Sequence, residues 1–96
     1  MNLEHLRYFQ KVAESKNITQ SAQELYISQP ALSRAMKHLE SELGVPLFYH
    51  TGRHIELTMY AEEFYPYVTK TLEQYDQGLE AIRSLNEEII PSITIY

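Results

Sequence analysis

Apolar residues recur in steps of three and four over most of this chain, and short polar or turn-forming runs divide that rhythm into elements. Leu3, Leu6, Phe9, Val12 and Ala13 keep helical spacing behind Asn2, a good N-cap, and stop at Ser15-Lys16-Asn17. A shorter helix is predicted over Thr19 to Tyr26, with Thr19 as its cap and Ile18, Ala22 and Leu25 on one inward face. A third starts behind Ser28. Pro30 falls in its first turn, where the missing N–H deletes no intrahelical bond, and Leu32, Met36, Leu39 and Leu43 form one stripe with Ala35 at its edge. Gly44 caps its C-terminus and Pro46 prevents its continuation.

Leu47 to Leu57 then reads as a two-stranded ribbon turning at Thr51-Gly52, with Phe48 and His50 on one side and Ile55 and Leu57 on the other. From Thr58, a good N-cap, the helical period returns for one long helix, with Glu62 and Glu63 placed to suit its N-terminal dipole. Pro66 falls inside it and is expected as a tolerated bend. Pro91 stops the helix, and Ser92 to Tyr96 alternates in the manner of a strand.

The fold class that follows is mainly α: three helices and a two-stranded wing, then a long helix. The helix-turn-helix spans about 18–37, the wing about 47–57, and the whole winged unit 1–58. Gln29, Pro30, Ser33, Arg34, Lys37 and Ser41 lie opposite the buried stripe of the third helix. Short groups near its start, an amide and a guanidinium able to bond two atoms of a base edge, and a lysine for phosphate are what a helix entering the major groove of DNA needs. A merely solvated polar face is the competing reading.

In the long helix, residues 59–90, Val68, Leu72, Tyr75, Leu79, Ile82, Asn86 and Ile89 alternate in steps of four and three, a heptad seam. So long a seam exceeds what a small domain covers by itself, so a second copy of the same helix is the expected partner, with Asn86 fixing register. Folding back on its own domain competes for the part before Leu72.

Composition changes this picture little. With 96 residues there is room for one small domain, and there is no cysteine, which excludes disulfides, thiolate chemistry and Cys-based zinc sites. No charged leader precedes an apolar run and no apolar stretch approaches bilayer length, so a soluble, cytoplasmic protein without membrane contact is expected. No Ser-His-Asp set, Gly-rich phosphate loop or paired carboxylates suggest an enzyme, and His50 and His54, four apart in a ribbon, do not make a metal site.

Charge runs against DNA binding at first sight, because the net charge is −5. Residues 1–57 are neutral, however, and the whole acid excess lies beyond them.

The run SQPALSRAMKHLESELGVPLF from Ser28 to Phe48, with LEHLRYF at Leu3 to Phe9, TGR at Thr51 to Arg53 and LT at Leu57-Thr58, resembles the signature of LysR-type transcriptional regulators. That resemblance implies a bacterial regulator that binds double-stranded DNA as a homodimer on an interrupted inverted repeat. Gln29, Ser33 and Arg34 would then read base edges, with Pro30 and Ala31 in apolar contact. Thr19, Ser21 and Lys37 would hold phosphates, and Arg53 at the wing tip would enter the minor groove. It also implies a larger effector-binding domain that opens with a strand such as 91–96, so a small-molecule effector would bind outside this chain, and the full-length parent could form a tetramer. Two positions depart from the family pattern: His50 stands where Arg is usual, and Tyr60-Ala61 where alanine-glycine is usual. A helical protein–protein module without DNA binding is the rival expectation.

Overall fold

Two asparagines and a serine start the first three helices, each by lending a side-chain oxygen to a backbone N–H in the first turn. The computed structural model describes residues 1–89, with side-chain surroundings through Glu87. Its elements are α1 (Leu3–Ser15), α2 (Ile18–Leu25), α3 (Gln29–Leu43), β1 (Phe48–Thr51), β2 (His54–Leu57) and α4 (Met59–Ile89). The expected strand over 91–96 lies outside the described residues, as does residue 90 of the expected long helix.

Asn2 caps α1 by accepting from the His5 N–H at 2.8 Å, and Ser28 caps α3 by accepting from the Ala31 N–H at 3.2 Å. For α2 the cap is Asn17, which accepts from the Gln20 N–H at 2.9 Å, and not the expected Thr19. Asn17 is extended and its carboxamide already fills the slot, so the helix begins at Ile18 and Thr19 sits exposed in its first turn. The α2–α3 turn closes through Tyr26, which adopts a left-handed conformation with φ 60°. A non-glycine residue there costs about 1–2 kcal/mol, and its side chain is left almost wholly in solvent. At the end of α3, Gly44 takes the same left-handed role, with φ 75°, at no such cost.

Phe9 and Val12 of α1, Leu32, Met36 and Leu39 of α3, Leu47 before the wing and Ala61 of α4 form the centre of one core. Phe9 stacks at a tilt on Phe48 and Phe64, with centroids 5.8 and 5.4 Å away, which ties α1 to both the wing and α4.

β1 and β2 pair antiparallel with Phe48 opposite Leu57 and His50 opposite Ile55, so these four share a face. The register places the turn on Gly52-Arg53, one residue later than expected. Gly52 has φ 62° and Arg53 does not have a positive φ, the pattern of a type II′ hairpin that needs glycine first.

α4 runs through Pro66 without a break. Its 31 residues give about 46 Å of helix, most of the molecule's 56 Å length. Val68 and Leu72, expected in the intermolecular seam, are buried in the chain's own core against α1, which corrects that assignment. Tyr65 donates to Glu14 at 2.6 Å and Arg7 pairs with Asp76 at 2.8 Å, fastening α4 to α1 as far as that point. The unusual Tyr60-Ala61 pair fits without crowding: Ala61 is the buried member and Tyr60 points outward.

Candidate nucleic-acid interface

α3 is anchored by its apolar stripe, so its opposite side faces solvent. Gln29, Pro30, Arg34 and Lys37 are exposed, and Ala31 and Ser33 are half-buried. The Gln29 amide donates to the Ser33 hydroxyl one turn on, at 3.3 Å, so these two polar groups form a pair at the start of the helix.

The wing is held against α3 by Glu40. Its carboxylate accepts from the Leu47 and Phe48 N–H groups at 2.7 and 3.3 Å. Thr58 closes the other end of the ribbon: its hydroxyl donates to the Pro46 carbonyl at 2.6 Å, and its N–H reaches the Leu47 carbonyl at 3.0 Å. The same hydroxyl accepts from the Ala61 N–H, so one residue both caps α4 and fixes the wing. Nothing in the sequence pattern singled out Glu40. Its position beside the Leu32–Leu39 stripe, with a Gly cap and a Pro following, is the signal that could have found it.

Between α3, the start of α2 and the wing lies an open cleft of about 520 Å³. Thr19, Gln29, Ser33, Lys37, His50 and Arg53 are on its walls, so the fold gathers on one concave face residues spread over 35 positions of sequence. Arg34 and Pro30 lie on α3 outside this cleft.

Ser21 does not belong to this face. It is fully buried, and its hydroxyl is engaged by Ser15 at 2.6 Å and by the Lys11 carbonyl at 3.4 Å. It is a polar bolt between α1 and α2, and the phosphate role expected for it is withdrawn.

Ion pairing explains how a neutral head can carry a positive surface. Lys11 pairs with Glu24 at 3.1 Å, Lys16 with Glu56 at 3.0 Å and Arg7 with Asp76, while Glu42 holds the N-terminal ammonium at 2.6 Å. Hydrogen bonds from Gln20 and then Lys11 hold the Glu24 carboxyl below the usual range, and one from the N-terminus does the same for Glu42. Glu40 is spent on backbone donors. Among the described residues, Arg34, Lys37, Arg53 and Lys70 form no ion pair with a carboxylate; the first three are exposed on α3 or the wing, and Lys70 is exposed on α4.

The second candidate surface is the distal part of α4. Tyr75, Leu79, Ile82 and Leu85 are all exposed, Ile82 at 67%. Leu85 was not in the expected seam, although it lies three residues beyond Ile82 on the adjoining flank. Asn86 is half-buried, with its side-chain oxygen lacking a donor among the described residues. The side chain of Ile89 lies outside the described residues.

No helix among the described residues is long and apolar enough to cross a membrane.

Residues 3–62 match the family described as bacterial regulatory helix-turn-helix protein, lysR family. Among relatives, the chain is 44% identical over 85 residues to an uncharacterized HTH-type transcriptional regulator, YybE of Bacillus subtilis, covering 88% of this chain and 29% of that one. It is 42% identical over 98 residues to the HTH-type transcriptional regulator BudR of Raoultella terrigena, covering 98% of this chain and 34% of that one. The chain thus spans about a third of the length of these relatives. Among solved structures, it is similar to the BenM DNA-binding domain in complex with benA site 1 DNA, with TM-score 0.83, 39% identity and coverage of 88% of this chain and 99% of that one. The CbnR DNA-binding domain in its DNA complex gives TM-score 0.81 at 36% identity, with coverage of 88% and 97%.

Proposed function

The chain belongs to the lysR family of bacterial regulatory helix-turn-helix proteins, and from that premise we propose that it binds double-stranded DNA sequence-specifically, as the reading head of a transcriptional regulator. The observation that carries this reading is the clustering of three unpaired cations around α3 and the wing. Arg34, Lys37 and Arg53, which lack carboxylate partners among the described residues, lie on one side of α3 and on the wing that flanks it. The solved structures of similar shape named as DNA complexes support it.

In this reading α3 enters the major groove with Gln29, Ser33 and Arg34 toward base edges and Pro30 and Ala31 in apolar contact. Thr19 and Lys37 hold backbone phosphates. Arg53, at the tip of a hairpin that Glu40 and Thr58 hold in place, enters the adjacent minor groove. The exposed distal stripe of α4 pairs with the same stripe of a second copy, which supplies a donor to the Asn86 oxygen and brings two heads to an interrupted inverted repeat. We further infer cytoplasmic action, no catalysis by these residues, and effector recognition and any tetramer formation through parts of a longer polypeptide.

Selection of duplexes from a random pool at two salt concentrations tests this. An enriched interrupted inverted repeat whose binding weakens with salt is expected. Failure to enrich any sequence at low salt would overturn the reading in favour of a protein-interaction module.

A further inference from the structure

His50 is an ionisable group of the cleft that the reading above leaves unused and that forms no ion pair among the described residues. It is exposed on β1 and shares the cleft walls with Arg53 from the hairpin tip and Lys37 from α3. The charges presented by the elements around it are as follows. The end of α1 supplies Lys16, held by Glu56. The start of α2 supplies Asn17, Ile18 and Thr19, none of them ionisable. α3 supplies Glu40, whose carboxylate is already occupied by two backbone N–H groups. On β2, Ile55 stands opposite His50, while Glu56 and His54 stand opposite Tyr49 and Thr51 on the other face. The cleft therefore concentrates cations, with its one lining carboxylate turned to the backbone.

A concave, cationic wall beside a helix that enters a groove is where the sugar-phosphate backbone passes. We propose that the cleft seats a backbone phosphate of the duplex and that His50 is its proton-dependent ligand, so that DNA affinity is linked to pH. The inference rests on the DNA-binding reading and deepens it. Imidazole is the side chain whose ordinary titration falls between pH 5 and 8, and a phosphodiester stays anionic throughout that range. Neutral imidazole offers one N–H; imidazolium offers two and a full charge, a stronger bond to an anionic oxygen. Proton uptake and DNA binding reinforce each other, so affinity rises as pH falls through that range.

The test is fluorescence anisotropy with a fluorescein-labelled duplex of random sequence, at pH 6 and pH 8 and fixed ionic strength. Random sequence suffices because a phosphate contact carries no base information. The chain is expected to bind about three- to tenfold more tightly at pH 6, with the slope of log affinity against log salt steeper by about 0.9 per protomer. His50→Gln should abolish both differences, and His50→Arg should bind tightly at both pH values. His54→Gln, on the other face of the ribbon, and His38→Gln, paired with Glu42 at 3.5 Å, should keep the full pH dependence. His50 is exposed, so none of these changes touches the core, and a thermal melt verifies folding. A pH dependence that survives in His50→Gln, or disappears in His38→Gln, overturns the role of His50 while leaving DNA binding intact. No binding by any variant at either pH defeats the DNA reading itself and this inference with it.

Discussion

Val68 and Leu72, in the first half of α4, are 1% and 2% exposed, whereas Leu79 and Ile82 of the same helix are 45% and 67% exposed. The sequence rhythm is the same on both sides: steps of three and four, apolar in phase. What changes is the neighbour. α1 is fastened to α4 as far as the Arg7–Asp76 pair, and beyond it Leu79, Ile82 and Leu85 are exposed. Hydrophobic spacing reports that a stripe needs cover and is silent on whether the cover comes from the same chain or another. One half of α4 is thus packed into the core of the winged unit, and the other carries an exposed apolar stripe, the one proposed above to meet a second copy.

The largest effect that separates the halves is expected from Leu72→Ala. Removing its buried methyl groups should destabilise the head by about 2–5 kcal/mol, read by denaturant unfolding, because the core cannot fully collapse around the gap. Were Leu72 an intermolecular residue, the loss would instead vary with protein concentration.

Ile82→Glu makes the reverse case. A charge placed in the stripe proposed to pair should weaken self-association by on the order of 3 kcal/mol, measured by sedimentation equilibrium, and leave the head's unfolding midpoint at high dilution unchanged.

Within the head, Arg34→Ala should cost about 1–3 kcal/mol on a selected duplex and much less on random DNA, whereas Lys37→Ala should weaken both alike. Equal losses on the two duplexes for Arg34→Ala would remove its assigned base contact. Asn2→Ala, which deletes the α1 cap, should lower stability by about 1 kcal/mol without changing which duplexes are preferred.

The smallest effect concerns the join between the halves. The hydrogen bond from Arg7 holds the Asp76 carboxyl below the usual range. A depressed folded-state value contributes stability above the ordinary carboxylate range, and that contribution is lost as pH falls through the lowered value. Both groups are exposed, so solvent screens the pair and the change is small. Asp76→Asn should flatten the acid side of the stability profile, and an unchanged profile would mean that the contact holds nothing.

Much of this was legible in the chain. The α3 stripe, the Ser28 cap and the Gly44 stop are local rules, and the structure follows them. Errors arose where a local rule had two applicants or no view of depth. Thr19 and Asn17 are both good caps, and only the chain's extended path at Asn17 decides between them. The hairpin turn slid by one residue because alternation fixes strands better than it fixes which pair closes them. The family resemblance puts Ser21 on the DNA face, but it carries no view of depth, and α1 supplies two partners that let this small hydroxyl be buried. Charge was the least legible feature, since a net count cannot show which carboxylates are already held by Lys11, Lys16, Arg7 or backbone N–H groups.

The most direct test of the division between a reading head and a pairing helix is a footprint on a selected duplex, comparing the chain with its Ile82→Glu variant at one low concentration. Two protected half-sites for the chain and weakened, independent half-site protection for the variant is the predicted result. Undiminished protection of both half-sites by the variant would contradict the account.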